Sequence, residues 1–234
     1  MSSLRAVICG NGEWEDEAYL ARIRASLAGG DLRIAADGGA RVWRRLGLAP
    51  HALIGDFDSL TEDEVAAWEA AGVEIRRHPV AKDQSDVELA LDYATRAGAG
   101  AVLLAAVTGS RLDHSLANLL LAARFAGSGR EITVLTPRGA VYPVTGRAGR
   151  PGARHVPAAP GDVVALLPVG GPAAGVTTHN LRYPLRNAVL PWASTLPISN
   201  EPTASTVGVE VAEGSLLIIV EQGDGEVLRC VSRS

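Results

Sequence analysis

The sequence predicts an α/β protein in which a mostly parallel sheet domain, residues 1–139, is followed by an all-β domain, residues 140–234. In the first half, short apolar strand-like segments alternate with helix-like segments, a pattern typical of a parallel sheet covered on both faces. In the second half, short strand-like runs recur without a long helix, which predicts a small β-sandwich or barrel. The stretch from Gly146 to Gly161 is rich in Gly, Pro and Arg and is predicted to be a linker.

The predicted strands are apolar or alternating runs that end at turn residues. In the first domain they are Leu4–Cys9, Leu32–Ala36, Ala52–Gly55, Val73–Arg77, Ala101–Val107 and Glu131–Leu135. In the second domain they are Val163–Leu167, Ser205–Val211, Ser215–Glu221 and Glu226–Val231, with turn signals at Gly170-Gly171-Pro172 and Gly223-Asp224-Gly225.

Helices are predicted between the strands of the first domain, where apolar residues recur at helical spacing. They run from Trp14 to Leu27, through Val42 and Leu46, through Val65 and Trp68, from Leu89 to Tyr93, and over Ser115–Phe125. Two of them open with a capping-box pattern, Thr61 with Glu64 and Ser85 with Glu88.

Composition narrows the function classes. The chain has 234 residues, 47% of them apolar, and a net charge of −4, which argues against a nucleic-acid or anionic-membrane surface. The basic cluster of Arg41, Arg44 and Arg45 is interpreted as a solvated helix face. The two cysteines, Cys9 and Cys230, form no disulfide framework. No apolar run reaches the roughly 18 residues of a membrane span, so a cytoplasmic location is expected.

Four acidic motifs follow predicted strands or open predicted helices. They are Ala36-Asp37-Gly38-Gly39, Gly55-Asp56-Phe57-Asp58-Ser59, Lys82-Asp83-Gln84-Ser85-Asp86 and Gly109-Ser110-Arg111-Leu112-Asp113-His114. Because ligands of such sheets bind beyond the carboxyl ends of the strands, the acidic side chains are expected to share one cleft. These side chains are Asp37, Asp56, Asp58, Asp83, Asp86 and Asp113.

A shared cleft of carboxylates predicts a cation. Like charges a few Å apart cost several kcal/mol at an effective dielectric constant of roughly 20, and a divalent ion removes that cost. Oxygen-only ligands select a hard ion such as Mg²⁺. Lys82 and Arg111 add donors suited to phosphate, and glycine-rich turns such as Gly10-Asn11-Gly12 bring backbone N–H groups to an anion. The sequence therefore predicts a Mg²⁺–polyphosphate site for a nucleoside triphosphate.

Each motif alone also has a structural interpretation. Asp37, Asp56 and Asp58 could be turn formers, Asp83 and Asp86 helix caps, Arg111 and Asp113 a surface ion pair, and His114 a helix-start residue. The sequence contains neither GxxxxGK[ST] nor GxGxxG, which disfavours P-loop and hydride-transfer enzymes. The scattered histidines lack the spacing of a zinc site.

The ordered motifs ADGGA, GDFDS, KDQSD and GSRLDH resemble those of the thiamine pyrophosphokinase (thiamine diphosphokinase) family. The segment Asn180–Leu185 is similar to that family's GLxYPL element. Leu196–Glu201 is similar to the SNE-type segment of its thiamine-binding C-terminal domain. The resemblance covers residues from about 10 to 221. Asn180 stands where the family usually has glycine, and Pro197 stands where a small residue is common.

The resemblance implies an α/β nucleotide-binding catalytic domain, a C-terminal thiamine-binding all-β sandwich, and a homodimer with sites near the subunit interface. The reaction would be ATP plus thiamine giving AMP plus thiamine diphosphate. Catalytic candidates are Asp56, Asp58, Asp83, Asp86, Arg111 and Asp113, of which the first four would hold Mg²⁺. Nucleotide-binding candidates are Asn11, Asp37, Gly38, Lys82, Gly109, Ser110 and His114. Thiamine-binding candidates are Ser199, Asn200 and Tyr183.

Several alternatives stay open at this point. The proton acceptor is Asp83 or Asp113. Tyr183 and Trp192 are either walls of an apolar slot or core residues. A pyrophosphokinase acting on a pterin alcohol, a non-catalytic nucleotide or thiamine sensor, and a glycosyltransferase with a DxD motif are rival functions; the last would not predict the other three acidic motifs.

Overall fold

The computed structural model describes residues 4–81 and 83–223. The chain folds as two compact units. The first comprises the residues up to Leu121 with Val134–Pro137, and the second comprises Ala122–Thr133 with the residues from Arg138 onward. The chain contains both helices and strands, which confirms the predicted α/β class. Its strands form parallel and antiparallel pairs, so the β structure is mixed. Among the described residues, no helix combines the length and apolar character needed to span a bilayer.

The first unit alternates strands and helices as the sequence predicts. Its elements are β1 (Leu4–Cys9), α1 (Glu17–Ala25), β2 (Leu32–Ala36), a 3-10 turn (Asp37–Gly39), α2 (Ala40–Arg45), β3 (Ala52–Gly55), α3 (Glu62–Ala70), β4 (Glu74–Arg77), α4 (Asp86–Arg96) and β5 (Ala99–Ala105). Then follow α5 (Leu112–Gly127) and β6 (Glu131–Thr136), which contribute residues to both units. Strands pair in parallel in the order β4-β3-β2-β1-β5.

The centre of this sheet is formed by β1, which lies between β2 and β5. Ile8 pairs with Ile34 on one side and with Leu104 on the other, and all three side chains are fully buried. A strand buried on both faces needs a continuous apolar run rather than an alternating one. Cys9, in the same run, is a buried free thiol as expected.

Two helix starts agree with the predicted caps. The Thr61 hydroxyl accepts from the Glu64 N–H at 3.2 Å, and the Glu64 carboxylate accepts from the Thr61 N–H at 3.0 Å, which completes a capping box for α3. At α4 the Ser85 hydroxyl accepts from the Glu88 N–H at 3.3 Å. These bonds satisfy N–H groups that have no partner inside a helix.

The second unit contains antiparallel strands. They are β7 (Gly139–Gly146), β8 (Gly152–Pro157), β9 (Val163–His179), β10 (Ala188–Leu190), β11 (Thr206–Val211) and β12 (Glu213–Glu221). Their order is β7-β12-β9-β11-β8, and β10 pairs with β9. Three of the predicted runs lie within β9, β11 and β12. The fourth, Glu226–Val231, lies outside the described residues, as does Cys230.

Two predictions for this unit are wrong. The stretch Gly146–Gly161 is not an unstructured linker, because it contains β8 and the end of β7. The turn predicted at Gly170-Gly171-Pro172 lies inside β9, where the pairing with β12 shifts register between Glu213 and Ser215. Such a bulge absorbs residues that would otherwise end a strand, and Gly170 takes a φ of 75° there.

Candidate functional site

The carboxyl ends of the parallel strands carry the acidic motifs. Asp37 comes directly after β2 and Asp56 directly after β3. Asp37, Phe57 and Ala106 have positive φ angles of 48°, 64° and 53°. Non-glycine residues adopt this conformation at a cost of about 1–3 kcal/mol and collect at functional sites. These strand ends therefore combine acidic side chains with the backbone conformations that are typical of functional sites.

Three of the six predicted carboxylates meet here. Asp37, Asp56 and Asp58 each offer an oxygen, and these oxygens lie within 4.8 Å of one another. Asp37 is buried, Asp56 is half-buried and Asp58 is exposed. The buried Oδ1 of Asp37 has no hydrogen-bond partner in residues 4–81 and 83–223. Since an unpaired buried oxygen is costly and the donor set is all oxygen, the arrangement fits a hard divalent cation.

A fourth carboxylate, Asp86, lies beside this cluster at the start of α4. A Cβ on Gly55 would lie 3.1 Å from Asp86 Oδ1 and 3.1 Å from the Asp37 Cβ, and Gly55 has a φ of 154°. Both facts require glycine at the end of β3, because a side chain there would displace the carboxylates. Gly55 thus allows Asp37 and Asp86 to approach the same strand end.

A hydroxyl links the acidic cluster to the loop after β1. The Ser59 hydroxyl donates to Asp37 Oδ2 and accepts from the Asn11 side-chain amide at 2.9 Å. Asn11 in turn packs against Gly38, where a Cβ would lie 2.3 Å from the Asn11 Oδ1. The predicted nucleotide-binding residues Asn11, Asp37 and Gly38 are therefore neighbours, and Ser59 joins them.

A side chain of α2, Arg41, holds the loop that carries Asp56 and Asp58. Arg41 donates to the Ser59 carbonyl at 2.7 Å and to both carboxylate oxygens of Glu64, at 3.2 and 3.0 Å. The hydrogen bond from Arg41, with help from the Thr61 backbone, lowers the pKa of Glu64 to about 2. Arg41 was interpreted from the sequence as part of a solvated helix face. No local pattern indicates its role, because its partners lie 18 and 23 residues away.

We expect Ser59→Ala to weaken Mn²⁺ binding roughly 10- to 100-fold, the usual effect of removing a group that orients a metal ligand. The substitution removes the only hydrogen-bond donor that the described residues give to the Asp37 Oδ2. Titration of Mn²⁺ by electron paramagnetic resonance measures the affinity directly. Ser205→Ala, at an exposed position, is the matched control and should bind as wild type does. Equal affinities for both variants would exclude an orienting role for Ser59.

The other wall of the site is the segment after β5. The buried Asn118 amide donates to the Val107 carbonyl at 2.7 Å, and the Ser115 hydroxyl accepts from the Gly109 N–H at 2.9 Å. Both side chains come from α5 and hold the backbone of Val107 and of the predicted residue Gly109, next to Ser110. Sequence reasoning missed them, although a polar Asn118 within an apolar helix was an available signal.

Arg111 and Asp113 form an exposed ion pair at the start of α5, with Nη2 and Oδ2 2.6 Å apart. The hydrogen bond from Arg111 lowers the pKa of Asp113 to about 2, and the same bond raises the pKa of Arg111. Arg111 and His114 line the cleft described next, whereas Asp113 is not among the described residues that line it.

These features surround one cleft of about 630 Å³ in the first unit. Among the predicted site residues it is lined by Asn11, Asp37, Asp56, Asp58, Asp86, Gly109, Ser110, Arg111 and His114. Asp83 is exposed and is not among the described lining residues. Lys82 lies outside the described residues. The metal role of Asp83 and the phosphate role of Lys82 therefore stay predictions.

The predicted thiamine-side residues lie in the second unit. Asn200 is buried, and its side chain accepts from the Tyr183 N–H at 3.1 Å and donates to the Tyr183 carbonyl at 2.8 Å. Asn200 therefore holds the Tyr183 backbone, while the Tyr183 ring is 61% exposed. Ser199 is exposed, with a φ of 58°. Trp192 is 68% exposed, so neither aromatic residue is a core residue of this chain.

The two departures noted in the sequence have structural explanations. Asn180 has a φ of 61°, a left-handed conformation that asparagine tolerates better than other non-glycine residues. Its side-chain amide also donates to the Thr206 carbonyl at 2.8 Å. Pro197 is buried, and its carbonyl accepts from the Leu166 N–H at 2.9 Å. Asn180 thus adopts a left-handed backbone and adds a hydrogen bond that glycine could not make.

Comparison with known proteins gives a consistent result. The family model "Thiamin pyrophosphokinase, catalytic domain" matches residues 24–134, and "Thiamin pyrophosphokinase, vitamin B1 binding domain" matches residues 155–216. Thiamine pyrophosphokinase of Bacillus subtilis is 29% identical over 189 residues, which are 80% of this chain and 86% of the relative.

Solved structures agree with the sequence matches. The crystal structure of thiamin pyrophosphokinase from Geobacillus thermodenitrificans superimposes with a TM-score of 0.79 at 29% identity, covering 95% of this chain and 99% of that one. The crystal structure of the Bacillus subtilis enzyme gives a TM-score of 0.79 at 25% identity and covers 94% and 99% of the two chains. The likeness therefore extends over both units.

Proposed function

The chain belongs to the thiamin pyrophosphokinase family, and we propose that it transfers the pyrophosphoryl group of ATP to the hydroxyl of thiamine in a Mg²⁺-dependent reaction. The products are thiamine diphosphate and AMP. One observation carries the proposal: the two domain models of a single enzyme family match successive parts of the chain, and the catalytic match contains the carboxylate cluster.

We assign the metal to Asp56 and Asp58, with Asp83 and Asp86 completing or supporting the site. The proximity of Asp37 to the first two carboxylates makes it a further ligand candidate. A bound Mg²⁺ would screen the charge of the polyphosphate and of the product. Asn11, Gly38, Lys82, Gly109, Ser110 and His114 would bind the nucleotide, and Arg111 would stabilise the charge on the transferred group.

In the proposed reaction the thiamine hydroxyl oxygen forms a bond to the β-phosphorus. The bond between that phosphorus and the α-phosphate oxygen breaks, and AMP leaves. The hydroxyl proton passes to a carboxylate. The two candidates are Asp83 and Asp113, and the hydrogen bond from Arg111 lowers the pKa of Asp113, which makes Asp113 a weaker proton acceptor than a free carboxylate. Positioning and charge neutralisation then account for most of the catalysis.

For the second unit we propose thiamine binding by Ser199 and Tyr183, with Asn200 holding the Tyr183 backbone in place. The exposed Trp192 is a candidate wall for the thiamine rings. We also propose a domain boundary near residue 139, a C-terminal β-sandwich, and a homodimer with sites near the subunit interface. The cytoplasmic location stays a prediction from the sequence.

An assay of AMP release tests the function. Purified protein with ATP, Mg²⁺ and thiamine should form AMP and thiamine diphosphate in equal amounts, and omission of thiamine or addition of EDTA should stop AMP formation. Chromatography with mass detection quantifies both products.

In the same assay, a pterin alcohol replaces thiamine as the alternative substrate, and buffer alone is the blank. AMP release with the pterin only would indicate a different pyrophosphokinase, and ADP as product would indicate a kinase. Tight thiamine binding without any product would indicate a sensor. Any of these results would overturn the proposal.

A further inference from the structure

An arginine-lined cleft of about 510 Å³ lies within the second unit, formed by residues 126–131, 143–145, 147 and 150–155. It takes in the end of α5, the start of β6, and parts of β7 and β8. Four arginines line it: Arg130, Arg147, Arg150 and Arg154. The only lining carboxylate among the described residues is Glu131, so the formal balance is +3. This contrasts with a net charge of −4 for the whole chain.

Two of these arginines face each other across a tight turn. The Arg147 N–H donates to the Arg150 carbonyl at 3.0 Å, and the Arg150 N–H donates to the Arg147 carbonyl at 2.7 Å. Residues bonded in this way stand directly opposite, with side chains that start about 5 Å apart, and like charges in this arrangement are destabilising. The turn itself contains Gly149 at a φ of 74°. An anion held between the two guanidinium groups would remove their repulsion.

Carboxylates do not neutralise this pair. Within residues 4–81 and 83–223, the lining arginines form one ion pair with a carboxylate, between Arg154 Nη2 and Glu131 Oε1, which are 3.2 Å apart. Arg147 donates to the Gly127 carbonyl and Arg130 donates to the Ser128 hydroxyl at 2.5 Å, both of them neutral acceptors. The described residues offer the Arg150 side chain no hydrogen-bond acceptor. No carboxylate of the described part of the chain therefore pairs with these three arginines.

Two of the lining arginines are partly buried, Arg130 and Arg154. The Arg130 Nε is buried and has no hydrogen-bond partner among the described residues, and an unpaired buried donor is destabilising. Arg154, whose side chain is only 10% exposed, is fixed by the Thr133 hydroxyl at 2.9 Å and by the Tyr142 ring, which lies 5.3 Å from its guanidinium carbon. The base of the cleft is therefore rigid and cationic.

We propose that this cleft binds an anion with two or more linked phosphate groups. Guanidinium groups present paired N–H donors that match phosphate oxygens, and three unneutralised arginines match the charge of a diphosphate better than that of a single carboxylate. The site is distinct from the acidic cleft of the first unit, whose charge has the opposite sign. The proposal does not depend on the proposed function, since no residue of the carboxylate cluster takes part.

Calorimetric titration with inorganic pyrophosphate in EDTA tests the proposal, because removal of Mg²⁺ disfavours binding at the carboxylate cluster. Wild type should bind one pyrophosphate saturably, with an affinity that falls as NaCl rises. Arg150→Ala should weaken binding roughly tenfold or more, and Arg150→Glu should abolish it. Arg150 is exposed, and its side chain has no partner in residues 4–81 and 83–223, so both variants should keep the melting temperature of wild type.

Two control variants separate this site from the other one. Arg96→Ala removes an exposed arginine at the end of α4, and Asp56→Asn alters the carboxylate cluster; both should bind pyrophosphate as wild type does. ATP and AMP as further ligands distinguish the source of the phosphates. ATP that matches pyrophosphate while AMP fails shows that linked phosphates are sufficient for binding, whereas ATP that binds more tightly than inorganic triphosphate supports a nucleotide as the natural ligand. Absence of saturable binding, or binding that Arg150→Glu leaves intact, would overturn the proposal.

Discussion

Asp56→Asn is expected to lower kcat/KM for thiamine diphosphate formation by about 10³-fold or more. The substitution replaces one of three carboxylate oxygens that lie within 4.8 Å of one another. Loss of a charged metal ligand removes several kcal/mol of charge stabilisation in phosphoryl transfer, and each 1.36 kcal/mol corresponds to a factor of ten in rate. Because the amide also relieves repulsion between carboxylates, the protein itself should stay folded.

Steady-state AMP release measures the first effect, and Mn²⁺ titration shows whether metal affinity falls with it. Asp63→Asn is the matched control: it makes the same change at an exposed carboxylate on α3. The control should keep wild-type kinetics. If Asp56→Asn turned over thiamine at a near-normal rate, or lost activity only through unfolding, the assignment of Asp56 to the metal would be wrong.

Tyr19→Phe is expected to destabilise the protein by about 2–4 kcal/mol. The Tyr19 hydroxyl is buried; it donates to the Leu135 carbonyl at 2.7 Å and accepts from the Ala106 N–H at 2.8 Å. Phenylalanine fills the same space but removes this partner from two buried backbone groups. Each group left unsatisfied costs about 1–3 kcal/mol. The same burial raises the pKa of the Tyr19 hydroxyl, so it stays a neutral donor across the physiological range.

Urea unfolding followed by circular dichroism gives the free energy of unfolding for this comparison. Tyr93→Phe serves as the control, because its hydroxyl also donates a single hydrogen bond, to Glu74 at 2.7 Å, but in an exposed position. We expect that variant to lose less than about 1 kcal/mol. Equal losses for the two variants would mean that burial of the Tyr19 bonds adds nothing. Since Ala106 leads into the Val107–Ser110 wall of the cleft, Tyr19→Phe should also raise the KM for ATP.

The sequence alone predicted the first unit well, because its signals are local. Apolar runs buried on both faces of β1, β2 and β5 gave the strands, and the Thr61–Glu64 capping box gave the start of α3. The rule that parallel strands present their carboxyl ends at one edge predicts that Asp37, Asp56 and Asp58 lie close together, as they do. The ordered motifs then identified the family.

Only the tertiary structure decided the features that depend on partners far away in the chain. β8 pairs with β11, whose partner residues lie 49 to 59 positions further along the chain, so the Gly- and Pro-rich segment that contains β8 gave no local sign of strand structure. The hydrogen bonds from Ser59 and Arg41, and the cationic cleft around Arg147 and Arg150, likewise join residues from separate elements. Apolar periodicity and capping residues indicate the strands and helices of the first unit because they are local signals. Which side chains meet, and which segments become strands only through a distant partner, is set by long-range packing.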